Sequence, residues 1–189
     1  MKRTLPLFAL LLVSTAASAH TGHGSSGFGT GLAHPFSGMD HLLAMLAVGL
    51  WAGQLGGQRL WQLPATFMAM LAAGAFIGMS IPSLTLIEPS IAASVLILGL
   101  LIASPTKLAL PISFALTSAF GIFHGYAHGA EMPSAAAPLA YAAGFLLSTA
   151  SLHVSGIVMS NALRERFARL VQVLGMSIAA MGAWMLVTV

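Results

Sequence analysis

Residues 34–51 read HPFSGMDHLLAMLAVGLW and join ligand-type side chains to an apolar stretch. His34, Asp40 and His41 stand at its beginning, and the residues after His41 are apolar. An ionisable side chain inside a membrane segment is costly, so such a residue is a candidate for function. The stretch therefore predicts a helix that enters a bilayer and carries a functional site at its mouth.

The spacing within this stretch predicts which of its residues share a helix face. Pro35 suits the first turn of a helix, where a missing N–H costs nothing, and His41 then lies two turns beyond His34 on nearly the same face. Asp40 either ligates a metal itself or accepts a hydrogen bond from a ligating imidazole. Met45, one turn below His41, is either an additional weak soft ligand or an ordinary packing residue.

A second stretch, residues 123–131, reads FHGYAHGAE and again combines two histidines with a carboxylate. His124 and His128 are four residues apart and Glu131 follows three residues later, so all three share a face if the helix continues. The two stretches together supply the candidate metal ligands His34, Asp40, His41, His124, His128 and Glu131.

Glycines recur at every fourth position through the second stretch, at Gly121, Gly125 and Gly129. Small residues at this spacing let two membrane helices approach closely. Broken helices at membrane depth also mark transporter sites. The pattern predicts close packing or local unwinding, and both alternatives stay open at this point.

The composition places the chain among membrane proteins. Of its 189 residues 58% are hydrophobic and 6% are charged, and the mean hydropathy is +0.93, whereas soluble domains carry about 25% charged residues. Cysteine is absent from the sequence, which excludes disulfides and thiolate metal sites. The basic residues are scattered singly, a pattern that argues against nucleic-acid binding.

The first nineteen residues have the features of a secretory signal peptide. Lys2 and Arg3 precede an apolar run, and Ala17-Ser18-Ala19 form a small-residue cleavage site. An uncleaved signal anchor is the alternative. Cleavage would leave residues 20–35 as a flexible periplasmic segment that begins with His20. His20 and His23 are either further metal ligands or solvated side chains of this flexible tail.

The remainder, residues 36–189, predicts one domain: an all-α membrane protein with a bundle of six transmembrane helices. Trp51, Trp61 and Trp184 fall near the predicted helix ends, which is typical of anchoring at a membrane interface. The six predicted segments are 36–56, 61–81, 89–104, 107–127, 136–160 and 167–188.

Charge predicts the orientation of this bundle in the inner membrane. If the mature N-terminus is periplasmic, all basic residues of the mature chain fall in cytoplasmic loops, as the positive-inside rule requires. The C-terminus is then periplasmic too. The first helix begins and the fourth ends at the periplasmic face, so we expect the two stretches to meet there. These basic residues are Arg59, Lys107, Arg164, Arg166 and Arg169.

His153 stands apart, in the fifth predicted helix, about 22 Å from its outer end at a rise of 1.5 Å per residue. Hydroxyl residues surround it in sequence, at Ser148, Thr149, Ser151 and Ser155. They predict either a polar path inward for a metal or a neutral buried imidazole among hydroxyls bonded to their own helix.

Imidazole and carboxylate ligands without thiolates suit Ni(II), Co(II), Zn(II) or Cu(II), and the spacing does not select among them. No nucleotide-binding motif is present. Three functions fit: a secondary metal permease, an intramembrane metal-dependent hydrolase, or a membrane metal sensor or storage protein. The permease is the leading interpretation, and the chain is then not an enzyme.

The motifs HPFSGMDHLLAMLAVGLWA and FHGYAHGAE resemble the signatures of the HupE/UreJ family of nickel permeases. The resemblance covers essentially the whole chain, including the signal, the histidine of the mature N-terminus and the six spans. It implies uptake of Ni(II) as substrate without an organic cofactor, alongside hydrogenase or urease maturation. It also implies that His34, Asp40, His41, His124, His128 and Glu131 are the functional residues, but it does not extend to His153.

Overall fold

The computed structural model describes residues 27–81, 84–104, 107–132, 137–164 and 167–189. The predicted signal peptide, His20 and His23 lie outside them. The regular elements of these ranges are all helical, which confirms the predicted all-α class. They are α1 (Gly27–Ala33), a 3-10 turn (His34–Phe36), α2 (Met39–Leu55), α3 (Arg59–Gly78), α4 (Ile87–Ala103), α5 (Leu110–Ala130), α6 (Pro138–Arg164) and α7 (Ala168–Thr188).

The long helices α2 to α7 correspond to the six predicted apolar segments. Three of them, α3, α6 over Pro138–Leu163, and α7, are by themselves long and apolar enough to cross a membrane. Helix α2 reaches this standard together with residues Gly27–Phe36, and α4 is a shorter apolar helix. Helix α5 is not among these candidates, so the count of six crossings stays a prediction.

The chain from Gly27 onward differs from the expected flexible segment, because α1 packs along α6. Glycines at the contact permit this approach. A Cβ atom on Gly31 would collide with the carbonyl of Tyr141, and one on Gly144 would collide with the carbonyl of Phe28. In the described part of this segment, Gly27 and Gly31 thus permit tight packing against α6.

A sharp break separates His34 from His41, and the predicted single helix through both residues is therefore wrong. The stretch Gly27–Phe36 and α2 are bent by 80° relative to each other. Gly38 is extended at the break, with φ −110° and ψ 129°, and the Ser37 hydroxyl donates to the His34 carbonyl at 2.6 Å. Spacing along one helix thus does not bring the two imidazoles together.

The bundle is built from three close helix pairs, α3 with α5, α4 with α7, and α2 with α6. A Cβ atom on Gly125 would collide with the carbonyl of Leu71, and one on Gly129 with that of Ala75. Helix α5 is unbroken through these positions. Of the two alternatives for the glycine pattern, close helix contact is the one observed.

Chain direction gives the bundle two chemically different ends. The start of α2, the start of α4 and the end of α5 lie at one end with Asp40 and Glu88, and Thr188 near the C-terminus lines a small cavity with these two. At the other end, the Arg59 guanidinium donates to the carbonyl of Leu108 at 3.0 Å. Acidic and basic side chains therefore separate between the ends, in the described part of the chain.

Candidate metal centre

Four imidazoles from three elements meet at the acidic end of the bundle. The ring centroids of His41 and His128 are 4.0 Å apart, those of His41 and His124 are 4.9 Å apart, and those of His34 and His128 are 4.7 Å apart. His34 comes from the 3-10 turn, His41 from α2, and the other two from α5. We call these four residues, with Glu131, the histidine cluster.

Glu131 brings a carboxylate to the cluster. Its Oε2 lies 3.8 Å from Nε2 of His34, and one ligand atom from each of His34, His128 and Glu131 lies within 4.8 Å of the others. A metal bound at about 2.1 Å separates neighbouring ligands by roughly 3–4 Å. Small side-chain movements would therefore close these three groups around one ion.

Asp40 orients His41. One carboxylate oxygen of Asp40, Oδ1, accepts the backbone N–H of His41 at 2.9 Å and lies 3.0 Å from Nδ1 of its ring. The ring therefore donates through Nδ1, and Nε2 carries the lone pair. This Nε2 atom is buried and has no hydrogen-bond partner among the described residues. A carboxylate behind an imidazole is the usual arrangement of a metal-ligating histidine.

Ser94 orients His124 in the same manner. Its hydroxyl donates to the Ile91 carbonyl at 2.7 Å and lies 2.9 Å from Nε2 of His124. Because the serine proton is already engaged, the ring donates through Nε2 and leaves the lone pair on Nδ1. That Nδ1 atom is fully buried without a partner in the described ranges. Sequence reasoning missed Ser94, since a serine in an apolar helix usually bonds its own backbone.

His128 and His34 complete the imidazole set. Within the described structure, neither ring nitrogen of His128 has a hydrogen-bond partner, although the side chain is 2% exposed. At the mouth, burial and the nearby His41 lower the pKa of His34, while Glu131 and Asp40 oppose the shift. Its neutral form, which is the form that binds metals, is therefore favoured.

Glu88 is a second residue that sequence reasoning left out of the site. It joins His34, Asp40, His41 and Glu131 around a cavity of about 170 Å³ that opens from the cluster. The available signal was its charge at the start of α4, on the same predicted face as the two motifs. Three carboxylates thus surround the mouth of the site.

Met45 and His153 lie together, deeper in the bundle. Met45 is fully buried, and its sulfur accepts the Thr149 hydroxyl at 3.3 Å. The Met45 carbonyl lies 2.7 Å from Nδ1 of His153. The structure therefore joins these two additional candidates to each other, and separates both from the mouth.

The other hydroxyls around His153 do not form a continuous path. Ser151 and Ser155 are exposed and donate to carbonyls of their own helix. Ser148 donates to the carbonyl of Leu32 in α1. For Ser151 and Ser155 the alternative of local backbone bonding is correct, whereas Thr149 is buried and donates to Met45, the same residue that His153 contacts.

Fold and site together define a helical membrane protein in which four imidazoles, three of them buried, and several carboxylates meet at one end. The chain belongs to the HupE/UreJ family, because the family model described as "HupE / UreJ protein" matches residues 8–185. Protein HupE of Rhizobium leguminosarum bv. viciae is 41% identical over 187 residues, which cover 98% of this chain and 97% of the relative. No solved structure matches the chain. The family resemblance of the two motifs is thereby confirmed.

Proposed function

We propose that this protein is a secondary permease that carries Ni(II), with Co(II) as a second cargo, from the periplasm across the cytoplasmic membrane. The observation that carries the proposal is the set of buried ring nitrogens on His41, His124 and His128 that have no hydrogen-bond partner among the described residues. Family membership supports it, and by resemblance the imported metal serves hydrogenase or urease maturation.

The donor chemistry supports a divalent cargo of intermediate softness. Imidazole nitrogens with a carboxylate oxygen suit nickel and cobalt better than magnesium or calcium, which prefer oxygen alone. Imidazoles bind a metal in their neutral form and add no charge, so Asp40, Glu88 and Glu131 offset the charge of an entering ion. A transport site must also release its ion, and spread, incomplete ligation favours release.

The proposed topology has α2 to α7 crossing the membrane once each, with the histidine cluster at the periplasmic face. Arg59, Lys107 and Arg169 then face the cytoplasm. The inside-negative potential favours entry by about 2.3 kcal/mol per charge per 100 mV, or roughly twice that for a divalent ion. We also propose cleavage after Ala19, which intact mass of the membrane-extracted protein would test.

Uptake into proteoliposomes tests the function directly. Purified protein is reconstituted with a potassium-valinomycin potential, and radioactive nickel entry is followed with Co(II), Zn(II) and Mg(II) as competitors. We expect saturable uptake that needs the inside-negative potential, that Co(II) inhibits and that Mg(II) does not. His128→Ala should reduce uptake at least about tenfold, while Ser155→Ala, an exposed site on α6, should not.

The same experiment separates the alternatives. Nickel binding by the reconstituted protein without any flux would contradict the permease and support a sensor or storage protein. Uptake unaffected by His128→Ala would contradict the role of the histidine cluster.

A further inference from the structure

His153 has a free ring nitrogen in the interior of the bundle. Its Nδ1 donates to the Met45 carbonyl at 2.7 Å, which leaves the lone pair on Nε2. The side chain is 1% exposed, and Nε2 has no hydrogen-bond partner in the part of the chain that the structure describes. Buried polar atoms without partners are rare and costly, so this nitrogen is a candidate to bind a ligand.

The arrangement of His153 repeats that of two members of the histidine cluster. His41 donates one ring N–H to Asp40, and His124 donates one to Ser94. Each of the three imidazoles thereby has a fixed acceptor on one side and, on the other, a nitrogen without a partner in the described ranges. Metal-ligating histidines are held in this way, since the fixed acceptor sets both the tautomer and the ring orientation.

His153 also lies close to the histidine cluster, on the side towards the interior of the bundle. The ring of Phe67 is 5.8 Å from that of His124 and 5.3 Å from that of His153, between centroids. Met45, the acceptor of His153, is one turn beyond His41 on α2, or about 6 Å deeper at 1.5 Å per residue. One aromatic ring therefore contacts both the cluster and His153.

A separate cavity lies further along α2, towards the basic end. It has a volume of about 200 Å³, and Trp51, Gln54 and Lys107 are among its lining residues. Trp51 follows Met45 on α2, and its indole N–H is buried without a partner in the described ranges. Among the described residues, unpartnered buried polar atoms thus occur in the histidine cluster, at His153 and at Trp51, which lines this cavity.

We propose that Nε2 of His153 is a second cation-binding station, which receives the divalent ion from the histidine cluster on its way inward. This inference rests on the proposed transport function. The Met45 thioether is the neighbouring soft side chain, and the ion retains water for its remaining coordination. A station with one imidazole binds more weakly than the cluster, as onward movement requires.

The competing explanation is that His153 only fastens α6 to α2. These helices pack closely, since a Cβ atom on Gly49 would collide with the carbonyl of His153. Two variants separate the explanations. His153→Asn places an amide N–H near the position of Nδ1 and has no counterpart of Nε2. His153→Ala removes both groups.

The test measures nickel binding to the detergent-solubilised protein and nickel uptake by proteoliposomes, with His20 and His23 replaced by Ala throughout to remove binding at the N-terminus. We expect the parent protein to bind one ion tightly and one weakly. His153→Asn should lose only the weak event, keep the melting temperature, and lower the maximal uptake rate at least about tenfold with little change in KM. His128→Ala should lose the tight event and keep the weak one.

The outcomes distinguish this inference from the function on which it rests. If His153→Asn restores the uptake rate that His153→Ala loses, or keeps the weak nickel-binding event, the proposed second station is wrong. His153 then only stabilises the packing of α6 against α2. If the parent protein shows no flux, the permease is wrong, and loss of the weak event in His153→Asn still decides whether the ion binds at His153.

Discussion

The hydroxyl oxygen of Ser94 lies 2.9 Å from Nε2 of His124, so a side chain of α4 sets the orientation of an imidazole of α5. The hydroxyl proton is directed to the Ile91 carbonyl, and the imidazole is left with its lone pair on Nδ1. The residue that prepares His124 for a ligand thus lies outside both sequence motifs.

Ser94→Ala should weaken nickel binding about 10- to 100-fold, because it removes the group that fixes the His124 ring. It also leaves a buried N–H unpartnered, which should destabilise the protein by about 1–3 kcal/mol. Isothermal titration and thermal melting check the two effects. Ser90→Ala, at a half-buried position one turn earlier whose hydroxyl donates to the Leu86 carbonyl, should change neither. An unchanged affinity in Ser94→Ala would contradict the assigned role.

Asp40→Asn tests charge separately from geometry. The asparagine oxygen can still accept the His41 hydrogen bonds, but the site loses a negative charge that offsets the divalent ion in a poorly solvated place. We expect uptake at low nickel to fall at least about tenfold while the melting temperature changes little. Full uptake by this variant would show that Asp40 acts only as a hydrogen-bond acceptor.

Gly125→Leu should disrupt the contact between α3 and α5, because a Cβ atom at this position already collides with the Leu71 carbonyl. Overpacking of this kind costs about 1–3 kcal/mol or more. Yield of monodisperse protein and melting temperature in detergent measure the effect. Ala115→Leu, at an exposed position of the same helix, is the matched control, and equal behaviour of the two variants would contradict the packing.

The proposed topology predicts that a reporter fused after Val189 is periplasmic. An alkaline phosphatase fusion at this point should be active, and a fusion in the loop near Lys107 should be inactive. The C-terminal residues lie at the same end of the bundle as Asp40 and Glu88. The reverse pattern of activity would place the histidine cluster at the cytoplasmic face and contradict uptake from the periplasm.

The meeting of the two motifs was predictable from chain direction. A first helix that starts near His41 and a fourth helix that ends near His128 place these two ends on the same side, because the four helices between them make an even number of crossings. The spacing of four residues between His124 and His128 also predicted that the two side chains share a face of one helix. The break at Gly38 was not predictable from the sequence, since it depends on the packing of α1 against α6, which only the tertiary structure shows.

Burial in the structure distinguishes the three tryptophans, which their positions in the sequence did not. Trp51 lies near the end of α2, where interfacial anchoring was expected, yet it is 1% exposed and belongs to the core. Trp61 and Trp184 are exposed by more than half, as an anchoring role requires. Composition alone does not distinguish the three, because α2 is central in the bundle and the other two helices are peripheral.

The central claim is that the two motifs form one shared site, and a double-mutant cycle of His41→Ala and His124→Ala tests it most directly. Their rings are 4.9 Å apart, and residues that act as a unit show strongly non-additive effects. Initial nickel uptake at low concentration is measured for the parent, both single variants and the double variant. We predict that each single change lowers uptake at least about tenfold and that the double variant is no worse than either. Losses that multiply in the double variant would show two independent sites and contradict the account.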